Sequence, residues 1–116
     1  MSITIYHNPR CSKSRQTLSI LKDKGIEIDI IEYLQSPPDA ATLTALIKKL
    51  GITAKDLVRK GEAEFKLAGL DNKNITDEEM IQAMVKYPKL IERPIVVNKD
   101  KAVLGRPPEN VLTILE

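Results

Sequence analysis

An α/β chain in which a βαβ unit and a ββα unit flank a run of helices is the fold class this sequence predicts. Three observations predict it: a strand–helix–strand pattern at the start, helical periodicity through the middle, and two short β-rich runs before a proline-led helix at the end. Ser2 to Tyr6 alternates as a first strand, and the polar loop His7 to Arg10 follows. A helix is expected from about Ser12 to Lys24, with Leu18 and Leu21 at i, i+3 spacing and Gly25 as its C-terminal stop. Ile26 to Tyr33 alternates and then turns apolar at Ile30-Ile31, which predicts a largely buried strand. Two strands joined by one helix of this length pair in parallel.

After the turn at Ser36-Pro37-Pro38, Leu43, Leu46, Ile47 and Leu50 mark an amphipathic helix. Shorter helices are expected over Ala54 to Lys60 and Ala63 to Leu67. Thr76 with Glu79 makes a capping box that opens a helix through Met80, Ile81, Met84 and Tyr87, closed by Pro88. Ile95-Val96-Val97 and Ala102-Val103-Leu104 flank Asn98-Lys99-Asp100-Lys101 as a hairpin, and Pro107-Pro108 starts a last helix carrying Val111, Leu112 and Leu115. This order is that of a thioredoxin-like fold: a four-stranded mixed sheet with a helical insertion between the βαβ and ββα halves. With no repeat or linker, 116 residues predict a single domain over 1–116, the insertion covering about 37–91.

Composition narrows the function. No apolar run approaches the roughly 18 residues of a membrane span, and the first residues lack the pattern of a signal peptide, so a cytoplasmic protein is expected. A net charge of +2 without a basic block, one Phe, three Tyr and no Trp make nucleic acid an unsuitable main ligand. A single cysteine excludes an internal disulfide, and with one histidine it cannot assemble a Cys/His metal site, so neither metal nor tightly bound cofactor is expected. No oligomer seam is evident, and a monomer is the default.

The chemistry therefore falls on Cys11, which lies between a strand end and a helix start, where unpaired backbone N–H groups and the helix dipole favour a thiolate. A lone cysteine is more often a small buried hydrophobe; its position here favours a reactive thiol. Arg10, Lys13 and Arg15 add positive charge where the dipole disfavours it, a cost that suggests an anionic partner. Ser14 occupies the place of the second sulfur in a Cys-x-x-Cys motif; its hydroxyl can bond a thiolate but cannot form a disulfide, so turnover needs an outside thiol. His7 could hold positive charge near the sulfur, or be a solvent-facing or backbone-bonded loop residue. Arg59, Arg93 and Arg106 are candidates for an oxyanion clamp, because a planar guanidinium matches tetrahedral oxyanions. The last two stand out by their prolines: Arg93-Pro94, a candidate cis bond, opens a strand, and Arg106-Pro107 separates a strand from a helix start.

The segments HNPRCSKSR at 7–15, LVRK at 57–60, ERPIVV at 92–97 and GRP at 105–107 resemble, in this order, the glutaredoxin-linked (ArsC-type) arsenate reductase family. The likeness spans nearly the whole chain, and that family's fold is the one expected above. It implies that Cys11 forms a covalent adduct with arsenate, that Arg59, Arg93 and Arg106 hold the oxyanion, and that His7 and Ser14 favour the thiolate. Glutathione would be the reducing co-substrate and glutaredoxin the protein that resolves the mixed disulfide on Cys11. Two other functions compete. An Spx-type regulator binding RNA polymerase would use a Cys-x-x-Cys switch, which Ser14 removes; a glutathione-dependent thiol transferase would leave the arginines without purpose.

Overall fold

The computed structural model describes residues 2–115. They group into two compact units, one made of the chain up to Ser36 together with the chain from Arg93 onward, the other of Pro37–Glu92.

The first unit is built on a four-stranded mixed sheet. Its elements are β1 (Ser2–His7), α1 (Ser12–Asp23), β2 (Glu27–Glu32), β3 (Ile95–Asn98), β4 (Lys101–Leu104) and a closing 3₁₀ segment, Pro108–Ile114. The strand order is β2-β1-β3-β4, with β1 parallel to β2 and antiparallel to β3, and β3 antiparallel to β4. Alternation in β1 sends Ile3 and Ile5, both fully buried, into a core shared with Leu21 of α1, Val96 of β3, and Val111 and Ile114 of the 3₁₀ segment. Each such side chain contributes roughly 1.5–3 kcal/mol by leaving water. Register matters most at one end of the sheet: Tyr6 pairs with Ile95, and Ile95 with Leu104. The chain leaving β1, the chain entering β3 and the chain leaving β4 therefore emerge side by side.

α1 ends as expected, with Gly25 at φ +68 and its N–H donating to the Lys22 carbonyl at 3.0 Å, a left-handed conformation that glycine adopts without a Cβ penalty. The hairpin also forms, with Lys99-Asp100 as a two-residue turn and Lys99 at φ +60. Two expectations need correction. β2 is an edge strand and not largely buried: Ile30 is 43% exposed, while Ile28 and Ile31 are half-buried. An apolar run does not reveal which strand lies at an edge, and Glu27, Asp29 and Glu32 are the charges that keep such an edge from pairing further. The C-terminal segment is 3₁₀ and not an α-helix. Its buried residues are Pro108, Val111 and Ile114, spaced by three, which is the period of a 3₁₀-helix, and Leu112 is exposed.

The second unit is helical: α2 (Ala40–Leu50), α3 (Ala54–Leu57), α4 (Ala63–Leu67), α5 (Asp77–Lys86) and a 3₁₀ turn Pro88–Leu90. α2 buries Leu43 and Leu46 and is capped by Asp39, whose carboxylate accepts from the Thr42 N–H at 2.8 Å. α5 opens with the expected capping box: the Glu79 N–H donates to Thr76 Oγ1 at 3.1 Å and the Thr76 N–H to Glu79 Oε1 at 3.0 Å. α3 is shorter than expected, ending at Leu57 because Val58 is extended and bridges Ile91. No helix among the described residues is long and apolar enough to cross a membrane.

Candidate active site

Cys11 is the N-cap residue of α1, with an extended backbone at φ −96 and ψ 122 and its side chain buried. The preceding loop is short because it closes on itself: the Cys11 N–H donates to the Asn8 carbonyl at 3.0 Å, and the Arg10 N–H to Asn8 Oδ1 at 3.0 Å. Asn8 thus shapes the turn, as asparagine side chains do by bonding backbone two residues on. No side chain caps α1, and its first turn contains no acidic residue. The first-turn amides of a helix have no intrahelical carbonyl to bond, so this end presents uncompensated positive potential at the sulfur.

The sheet register brings Arg106 to the same place. Its Nη1 lies 3.9 Å from Cys11 Sγ and 3.4 Å from the Arg93 carbonyl oxygen. Arg93–Pro94 and Arg106–Pro107 are both cis. Gly105, between Leu104 and Arg106, donates its N–H to the Pro94 carbonyl at 3.0 Å, which ties together the segments entering β3 and leaving β4. Cys11 is 8% exposed, so burial alone would fit an inert thiol; the guanidinium beside it does not.

His7 is not a loop residue but the last residue of β1, and it is buried. Its Nδ1 lies 2.6 Å from Ser14 Oγ, which also accepts the Asn8 N–H at 3.0 Å. Burial pushes the imidazole pKa below its ordinary value; Glu32 opposes this, and Lys22 and Arg15 add to it. That direction favours the neutral ring over the charged one. Ser14 is fully buried in the first turn of α1, with its hydroxyl against His7 and the Asn8 N–H. The direction of the His7–Ser14 bond follows the tautomer: with the proton on Nδ1, the serine proton is released for another acceptor.

Arg59 belongs to the helical unit. The Arg59 N–H donates to the Leu90 carbonyl at 2.7 Å, while its side chain pairs with Glu62 at 2.7 Å and Glu92 at 3.4 Å. Of the other cations near Cys11 in sequence, Arg15 donates to the Pro9 carbonyl at 2.9 Å, and Arg10 and Lys13 are exposed. No cluster of three His, Cys, Asp or Glu side chains that could hold a metal occurs among the described residues. Thr17, fully buried on α1 and bonded to Gly105, is the residue the sequence does not reveal: a lone threonine within a helix carries no signal of burial.

Residues 6–114 match the model of the ArsC family. The chain is 53% identical over 114 residues to YfgD of Escherichia coli K12, a protein described as uncharacterised, covering 97% of this chain and 96% of that protein. It is 47% identical over 116 residues to an arsenate reductase of Haemophilus influenzae, covering 99% and 100%. The solved structure of an arsenate reductase from Vibrio cholerae superposes with a TM-score of 0.96 at 45% identity, covering 99% of this chain and 98% of that one.

Proposed function

The chain belongs to the ArsC family and has its thioredoxin-like fold, and from that premise we propose that it reduces arsenate to arsenite at Cys11. The observation that carries this reading is the Arg106 guanidinium 3.9 Å from the Cys11 sulfur, at a helix end that no side chain caps. A cation and first-turn amides attract the tetrahedral anion that the sulfur attacks. Relatives at 43% and 47% identity named as arsenate reductases support arsenate as that anion.

In the proposed cycle the Cys11 thiolate bonds to arsenic and one arsenate oxygen leaves as water. A glutathione thiol then attacks the adduct. The two sulfurs join, the electron pair passes to arsenic, and arsenite departs. Counting atoms, arsenic acid, the protein thiol and one glutathione thiol give arsenous acid, a Cys11–glutathione disulfide and one water. Glutaredoxin would return Cys11 to the thiol, as required of a chain with a single cysteine. With its proton on Nδ1, His7 would free the Ser14 hydroxyl proton for the sulfur, so the ring would act through Ser14 and not as a charge. Arg106 would hold the oxyanion; Arg93, whose carbonyl lies against Arg106, and Arg59, engaged by two carboxylates in the helical unit, have this role by resemblance. Glutathione as co-substrate, glutaredoxin as partner, a cytoplasmic location, and a single domain acting as a monomer complete the reading.

The test is NADPH oxidation coupled through glutathione reductase and glutaredoxin, with arsenate and a panel of other oxyanions. Arsenate-dependent oxidation that Cys11→Ser abolishes is expected. Deglutathionylation of protein mixed disulfides without any arsenate response would replace the reading with a thiol transferase.

A further inference from the structure

Thr17 is fully buried although it is polar, and it lies on α1 six residues beyond Cys11. Its Oγ1 is 2.8 Å from the Lys13 carbonyl oxygen and 3.3 Å from the Gly105 carbonyl oxygen. The first contact is the ordinary i−4 back-bond of a helical threonine. The second crosses 88 positions of sequence to the residue immediately before Arg106. Contact there is tight: a Cβ built on Gly105 would collide with Thr17 Oγ1, meet Thr17 Cγ2 at 3.0 Å and Pro94 Cγ at 2.8 Å. The Gly105 backbone therefore packs directly against Thr17 and Pro94, with no room for a side chain, and its N–H is tied to the Pro94 carbonyl.

Arg106 is exposed, and where a long, flexible arginine can bring its guanidinium depends on where its backbone is held. Its guanidinium nevertheless stands between the Arg93 carbonyl and the Cys11 sulfur. We infer that Thr17 is a positioning residue: it anchors the Gly105–Arg106 backbone to the helix that carries Cys11, so that the guanidinium is aimed at the sulfur. Cys11 and its cation are then set from one rigid body, the sulfur at the start of α1 and the guanidinium through a bond to the same helix. This inference rests on reading Cys11 and Arg106 as an anion-binding pair.

The test compares alkylation of Cys11 by iodoacetate, which carries a carboxylate, with alkylation by neutral iodoacetamide, and takes the ratio of the two rates. A guanidinium at the sulfur raises that ratio, so Arg106→Ala lowers it. Thr17→Val keeps the shape but removes the hydroxyl, and should lower the ratio at least about threefold toward the Arg106→Ala value. Thr17→Ser keeps the hydroxyl and should restore the wild-type ratio. Thermal unfolding confirms that each variant is folded; if Thr17→Val is not, Thr17→Ala is read in its place. A wild-type ratio in Thr17→Val, or a ratio in Thr17→Ser as low as in Thr17→Val, would overturn the inference. So would a ratio unchanged by Arg106→Ala, which would remove its premise. None of these rates requires arsenate turnover, so a protein inert toward arsenate would sink the proposed reaction and leave the ratios to decide the role of Thr17.

Discussion

Two helices of this protein begin in opposite ways. α5 is finished for stability: Thr76 caps it, Glu79 closes the box, and Asp77, Glu78 and Glu79 place negative charge against the dipole. α1 has none of this. Its N-cap is a cysteine, no side chain bonds its amides, no acid stands in its first turn, and Lys13 and Arg15 follow. A capping side chain typically contributes about 1 kcal/mol and each well-placed charge about 0.3–1 kcal/mol, so α1 forgoes what α5 collects. A stable chain can leave one helix end unsatisfied when a ligand is meant to satisfy it. The difference is the one that the proposed anion site at the start of α1 requires.

This contrast can be broken experimentally. The largest effect is expected from Cys11→Ser, which should abolish arsenate turnover while placing a good capping residue at the start of α1. Chemical denaturation should then show a protein as stable as the wild type or more so, by up to about 1 kcal/mol. Destabilisation would mean that the cysteine is a packing residue. Next comes Arg106→Ala, which should weaken oxyanion binding by about 1.5 to 3 kcal/mol, the scale of a charged hydrogen bond, read from KM for arsenate. Thr76→Ala should cost about 1 kcal/mol of stability with no change in turnover per folded molecule, measured by urea unfolding beside the coupled assay.

The smallest effect is electrostatic. The folded state depresses the His7 pKa below its ordinary value of about 6.5, so below that pH the unfolded chain binds more protons than the folded one. The stability this group contributes is therefore complete above about pH 6.5 and is lost as pH falls through the folded pKa. His7→Gln should flatten that part of the stability–pH curve, measured by denaturation from about one pH unit above the ordinary histidine pKa of roughly 6.5 to about 1.5 units below it.

How much of this was legible in the sequence depended on whether the signal was local. Gly25, the Thr76–Glu79 box and the Lys99-Asp100 turn act through bonds a few residues long, and the local order of residues locates them. Arg106 stands out in the sequence because it lies with Pro107 between a strand and a helix start; its distance to Cys11 is a property of sheet register across 95 positions. The exposed β2 depends on strand order, which no single strand encodes. His7 read as a loop residue, but β1 extends one residue further and buries the ring against Ser14. Thr17 was invisible: Ser14, Thr17 and Leu21 are the buried residues of α1, and only the last looks apolar in sequence.

The claim on which the account depends is that α1 and Arg106 together hold a tetrahedral anion beside residue 11 before any chemistry occurs. Cys11→Ser cannot form the covalent adduct, so an arsenate-induced rise in its unfolding temperature reports binding alone; at ten times the dissociation constant the gain is about 1.4 kcal/mol. The account predicts that gain, and predicts its loss when Arg106→Ala is added. An unfolding temperature indifferent to arsenate, or the same rise with and without Arg106, would contradict it.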